Sequence, residues 1–243
     1  AQQGQTEGGR LKSIFNSEFY ARLGQRIIHF LSAPTSTGKL YEADLRLRPS
    51  GNAGVLVSHI DGFEQYQRRE AWNWEHQALI KARPIIGDQA VLSRFAEIRE
   101  QVIAISRDPA VLKDAVVRMR EKMRKAHVRA KPGRFHLKQD PGGIIDIEFL
   151  VQYLILLHAN QYEQLRRWTD VVRQLNALAL SDIIDDLTAH SLKQAYLIYR
   201  YFVHRLNLQE KPAELPEKRF RELRRRVNAI WSRYLATGTG KSR

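Results

Sequence analysis

Apolar residues recur at helical spacing along most of this chain and alternate singly in one stretch only. Phe19, Leu23, Ile27 and Phe30 hold the helical period, and Asn16 or Ser17 can cap the helix they define. Pro34 and Gly38 close that unit. Over 39–48 the period changes. Ala43, Leu45 and Leu47 alternate with Glu42, Asp44, Arg46 and Arg48, which predicts a strand with the charged set on one face. Pro-Ser-Gly-Asn at 49–52 is turn chemistry, and Val55-Leu-Val57 predicts a returning strand, so 39–57 reads as a hairpin-like pair. Asp61 can cap a helix that runs to Arg83, before Pro84.

Beyond Gly87 the pattern is helix upon helix, with spans predicted at 88–105, 109–129, 142–159, 169–180, 182–208 and 217–235. The 142–159 segment is apolar almost all round, as expected of the buried centre of a bundle. The 182–208 segment carries a narrower stripe of Ile184, Leu187, Ala195, Ile198, Phe202 and Leu206. Trp72 and Trp74 read as core packing rather than stacking platforms. Ser106-Arg-Asp-Pro109 divides a small α+β piece from an all-helical piece. The expected class is therefore mainly α (α+β), with one domain at 1–108 and a helical bundle at 109–243.

Composition adds limits. The 243 residues suffice for one large or two small domains, and 43% hydrophobic content supports a core. Without cysteine there is neither a disulfide framework nor a thiolate metal site. The longest apolar run, Phe149 to Leu157, is too short to cross a bilayer, so no membrane role is expected. AQQGQTEGG has no signal-peptide pattern and no initiator Met. The chain reads as a cytoplasmic protein, or as a piece cut from a longer one. Its net charge of +14 is concentrated. Residues 118–138 hold nine Lys/Arg and one acid, and residues 216–243 hold nine and two. Those segments are either solvated helix faces or a surface for an acidic partner. No nucleic-acid reader motif accompanies them, so nucleic acid is not an expected partner.

The alternating stretch carries the candidate chemistry. A strand carboxylate such as Asp44 can hold Mg²⁺, which prefers oxygen ligands. Arginines on the same face can bind phosphate oxygens in bidentate fashion. Such sites want two or three carboxylates, and no Asp-x-Asp occurs in the chain. The alternative is an exposed face with cross-strand ion pairs. Lys81 and Arg83 could reach a phosphate or cap the last carbonyls of their helix. Gly142-Gly143 lacks the context of a phosphate loop and reads as a tight turn into the next helix. Asp146 and Glu148 lie at i and i+2, so they do not form a carboxylate pair. A buried Asp146 would need a partner, with Arg166, Arg167 or Arg173 as the candidates. The eight histidines show no metal spacing.

The runs YEADLRLRPSGNAGVLV, EQYQRREAWNWEHQALIKAR, FHLKQDPGGIIDIEFLVQYLILLHA and RRWTDVVRQLNAL resemble the glutamine synthetase adenylyltransferase family. These are large bifunctional bacterial enzymes with two related nucleotidyltransferase halves. The resemblance covers 15–235 and rests on long motifs. EAWNWEHQALIKAR is more similar to the C-terminal, adenylylating half than to the deadenylylating half. The resemblance implies transfer of AMP from ATP to a tyrosine of glutamine synthetase, with Mg²⁺ on three carboxylates. It also implies the PII signalling protein and glutamine as effectors. The family pattern is a Gly-Ser turn, then Asp-x-Asp, then a third acid on a later strand. Asp44 matches that third acid, with Arg46 and Arg48 beside the triphosphate, while Glu42 is a supporting group or, on the favoured reading, an ordinary surface acid. Gly-Ser and Asp-x-Asp are absent here. The expectation is thus a fragment: the end of a nucleotidyltransferase palm, then a helical regulatory or docking domain, inactive alone. The rival readings are the deadenylylating half, and a non-catalytic module that docks glutamine synthetase or PII. A palm sheet lacking its first strands would expose an edge, which predicts dimerisation or local disorder.

Overall fold

The first helical stripe forms α1 (Asn16–Ser32) in the computed structural model, which describes residues 4–7, 9, 12–36, 38–39, 43–44, 48–51, 54–126 and 131–236. The described chain is mainly helical, as its periodicity predicts. It divides into two units, Ala1–Ala71 with Asp88–Phe95, and Trp72–Gly87 with Ala96–Arg243.

In the first unit α1 buries none of its residues, though Gly24 lies close against Leu56 and Val57. Pro34–Thr35 (β1) and Gly38–Lys39 (β2) pair antiparallel. The longer hairpin expected over 39–57 lies largely outside the described residues, which omit 40–42, 45–47 and 52–53. Ala43 and Asp44 lie outside any strand, and Val55 and Val57 are exposed. An isolated two-stranded ribbon is marginal in water without cover for its apolar face. A tight turn forms beside it, closed by the Gly51 N–H on Arg48 O (2.8 Å) and the Gly54 N–H on Gly51 O (3.2 Å). The next helix, α2 (Ile60–Arg69), is capped by the His59 ring, which accepts the Asp61 N–H, rather than by Asp61 itself. Phe63 stacks on Phe95 at 5.6 Å, and Glu64 pairs with Arg68 and Arg94.

The single helix expected over 61–83 is two. After α2, the N–H groups of Glu70 and Ala71 both turn back to Tyr66 O. α3 (Asn73–Lys81) restarts at Trp72, whose N–H is taken by the Glu75 carboxylate at 2.9 Å. Glu75 thereby satisfies one orphan donor of the new helix start. Trp72, at that joint, is 71% exposed, so it is not the core residue expected. Trp74 is half-buried.

α4 (Gln89–Ile103) continues into the second unit, followed by α5 (Pro109–Ala126), β3 (Arg134–His136), α6 (Ile144–His158), α7 (Val171–Leu180), α8 (Asp186–Asn207), β4 (Glu214–Pro216) and α9 (Arg221–Leu235). Asp108, Asp170 and Asp185 each accept an N–H of the first turn that follows, the expected N-terminal chemistry. As its composition predicts, α6 is the buried centre, with α3, α5, α7, α8 and α9 around it. The stripe of α8 is turned from the expected one. Thr188, Leu192, Ala195, Tyr199 and Val203 are buried, whereas Leu187 is 76% exposed. One residue of register is about 100° of rotation, and a stripe read mostly from large side chains misses the small, buried Thr188 and Ala189. β3 pairs antiparallel with β4, Phe135 opposite Leu215. Phe135, Tyr199 and Phe220 pack edge-on or tilted over that pair. Buried Arg99 is a strut, donating to the carbonyls of Leu79, Ile80 and Arg166. Among the described residues no helix is long and apolar enough to cross a membrane.

Candidate functional site

Of the residues singled out for chemistry, Asp44 is exposed. Arg48 is half-buried, with its Nε 3.4 Å from Gly54 O in the turn that ends the stretch. Gly54 is required there, because a Cβ would sit 1.9 Å from Pro49 O. Arg46 and Glu42 lie outside the described residues. No group of three or more His, Asp or Glu among the described residues could hold a metal. The described part of the chain therefore offers Asp44 as a single carboxylate and does not by itself build a Mg²⁺ site.

The second unit assembles a different cluster. Asp146, in the first turn of α6, is 1% exposed. Its carboxylate accepts three N–H donors: Arg120 Nε at 2.6 Å, Arg124 Nη2 at 2.7 Å and the Gly142 backbone N–H at 2.7 Å. The partner that burial demands is thus present, but it comes from α5 and not from Arg166, Arg167 or Arg173. Arg120 and Arg124 are four residues apart and share the α5 face that meets α6. Arg166 instead donates to Ala159 O, and Arg167 and Arg173 lie over the Trp168 ring, each 4.6 Å from its centroid. Glu148 points elsewhere, to Lys81 at 2.8 Å. Lys81 is therefore an ion-pair partner within this unit.

Arg120 is fully buried and also donates to Gln139 O at 2.6 Å. Desolvation pushes its guanidinium below the ordinary value, and Asp146 opposes that shift. It remains a cation at neutral pH. Two guanidinium groups thus face one carboxylate. Arg120 Nη1 and Arg124 Nε are buried without a hydrogen-bond partner.

The outer side of Arg124 lines an open cleft of about 800 Å³. The β3–β4 pair builds it. Arg134 stands opposite Pro216, and the Glu217 N–H bonds Gly133 O at 3.0 Å. Arg224 of α9 donates to Pro141 O at 2.8 Å, pairs with Glu217, and lies 4.9 Å from the Phe135 ring centroid. This approach needs Gly142, whose φ is +81° and whose Cβ would stand 2.8 Å from Arg224 O. The two basic segments of the sequence, 118–138 and 216–243, therefore meet on one cleft. Sequence reading missed Arg120 and Arg124, although a signal existed: Leu112, Val116 and Arg120 form one i, i+4, i+8 row, and all three are buried.

Comparison with known proteins agrees along the chain. Residues 1–98 match the family described as glutamate-ammonia ligase adenylyltransferase. Residues 113–232 match the family described as GlnD PII-uridylyltransferase. The chain is 46% identical over 237 residues to the bifunctional glutamine synthetase adenylyltransferase/adenylyl-removing enzyme of Thioalkalivibrio sulfidiphilus, covering 98% of this chain and 24% of that protein. It is 47% identical over 233 residues to the enzyme of the same description from Shewanella woodyi, covering 96% and 24%. The corresponding Shewanella loihica protein is 46% identical over 234 residues, again 96% and 24%. The chain thus spans about a quarter of the length of these relatives.

Proposed function

The chain belongs to the family of bifunctional glutamine synthetase adenylyltransferase/adenylyl-removing enzymes, and from that premise we propose that it is part of the adenylylating machinery of such an enzyme. The reaction is transfer of AMP from ATP to a tyrosine hydroxyl of glutamine synthetase. A bond forms between the tyrosine oxygen and the α-phosphorus, the α–β anhydride breaks, and pyrophosphate leaves. The observation that carries the reading is the 46% identity over 98% of the chain.

In this reading residues 1–108 are the end of a nucleotidyltransferase palm. Asp44 is the third acid of its metal set, and Arg46 and Arg48 lie beside the triphosphate. Mg²⁺ requires further carboxylates, because Asp44 is a single ligand and the sequence holds no Asp-x-Asp. The chain alone is accordingly inactive. Residues 109–243 form a helical regulatory or docking domain. The change of matching family between residues 98 and 113 supports a boundary near Pro109. The match of the helical part to a PII-uridylyltransferase family favours PII as a partner there, with glutamine as effector. A cytoplasmic location suits a glutamine synthetase substrate.

The test follows labelled AMP from ATP to glutamine synthetase in the parent polypeptide, with Asp44 intact and as Asp44→Asn. Loss of transfer in a folded variant supports the assignment. Equal transfer refutes the role of Asp44. If Asp44→Asn leaves transfer intact but abolishes phosphate-dependent removal of AMP from the modified synthetase, the chain comes from the deadenylylating half.

A further inference from the structure

We propose that the cleft between β3, α5 and α9 binds a small phosphate-bearing anion with at least two negative charges. This site lies wholly within the second unit and does not depend on Asp44.

Charge is the first ground. Arg124, Lys125, Lys131, Arg134 and Arg224 line the cleft. Its acids are Asp140 and Glu217, and both are engaged: Asp140 accepts the His136 N–H at 2.8 Å, and Glu217 pairs with Arg224. Among the described residues Lys125 and Lys131 have no acidic partner, so two ammonium groups face the cleft uncompensated.

The second ground lies behind the cleft wall. Arg120 and Arg124 share the Asp146 carboxylate, with Asp140 adding only a weaker attraction on Arg120 and the Trp231 ring lying under Arg124, which leaves a local excess of positive charge that is partly buried. Two of their N–H donors have no partner. A cation short of counter-charge and partly removed from water is costly, and Arg124 connects that excess directly to the cleft, where its side chain is 29% exposed. An anion in the cleft offsets this excess across a short, partly desolvated distance, where charge interactions are strong.

Shape selects the ligand class. The cleft is concave, and its volume lies in the range of small-molecule sites. Guanidinium forks and lysine point charges together suit phosphate oxygens. A nucleic acid duplex would instead need a run of phosphate contacts along an open surface.

The experiment is calorimetric titration of the full chain with sodium pyrophosphate at 150 mM NaCl. Lys125→Gln/Lys131→Gln is the test variant. Arg225→Gln, an exposed residue of α9 outside the cleft lining, is the control. Circular dichroism confirms that both are folded. The expected result is saturable one-to-one binding, weakened about tenfold or more in the double variant, since each charge-assisted contact is worth about that factor, and unchanged in the control. Absence of saturable binding, or equal affinity in the double variant, overturns the proposal. So does tighter binding of a DNA duplex or of a poly-glutamate peptide than of pyrophosphate, which would assign the cleft to a macromolecule.

Discussion

Asp146→Asn is the most direct probe of the helical unit, because the substitution keeps the shape of the side chain and removes its charge. In the native protein the carboxylate takes three donors at 2.6–2.7 Å. An asparagine oxygen can accept from one or two of them, and its NH₂ group then faces a guanidinium donor to donor. Arg120, fully buried, keeps only Gln139 O. Breaking a buried pair by removing one partner costs about 3–5 kcal/mol. Arg124 is partly exposed and can turn to water, which favours the lower end, about 3 kcal/mol. For a domain of this size each kcal/mol lowers Tm by about 2–4 °C, so the variant should melt about 6–12 °C below the parent. The assay is thermal and urea unfolding followed by circular dichroism, with the urea slope checked for constancy. Arg120→Met/Asp146→Leu should recover much of the loss, because replacing both buried partners by apolar groups is often near neutral. A Tm drop under about 2 °C for Asp146→Asn would refute the view that this carboxylate holds α5 to α6.

Two further substitutions probe the surroundings. Gly142→Ala forces a Cβ to 2.8 Å from Arg224 O at a φ of +81°. It should destabilise by at least about 1–2 kcal/mol and weaken α9 docking, read as faster amide exchange at the start of α9. Burial, aided by Glu148, pushes the Tyr196 hydroxyl up to about 12. A raised folded value means its contribution is complete below pH 10, the ordinary value, and is lost as pH rises toward 12. Tyr196→Phe should therefore flatten the stability profile between pH 10 and 12 and leave it unchanged at pH 7. An identical alkaline limb in both proteins would show that Tyr196 is not the titrating group.

The sequence exposed most of the helices, because their periods are long and Asp caps and prolines punctuate them. α6 could be placed at the centre because every residue of it except Asp146, Glu148, Gln152 and His158 is apolar or aromatic. The joint at 70–72 was hidden, since a helix that breaks and restarts keeps apolar spacing on both sides. Only the pairing of Trp72 N–H with Glu75 marks it. The 39–48 alternation is a true period-2 signal, but most of the stretch lies outside the described residues; of its described members Lys39 belongs to β2, whereas Ala43 and Asp44 lie outside any strand.

The Asp146 cluster shows how such a partner can be found. Arg166, Arg167 and Arg173 follow α6, but the actual partners Arg124 and Arg120 lie 22 and 26 residues before Asp146, no farther along the chain than Arg173. Proximity along the chain is a poor guide for a residue buried between helices. A better guide is that an ion on an apolar stripe needs an opposite ion on the apolar stripe of the facing helix. Arg120 continues the Leu112–Val116 row of α5, and Asp146 interrupts the apolar face of α6. Each is anomalous alone, and together they fix which faces of α5 and α6 meet. The same reasoning turns the second arginine into evidence. Arg124, one turn further, shares the same carboxylate, lies over the Trp231 ring at 5.5 Å and opens on the basic cleft, so it ties α5 to both α6 and α9.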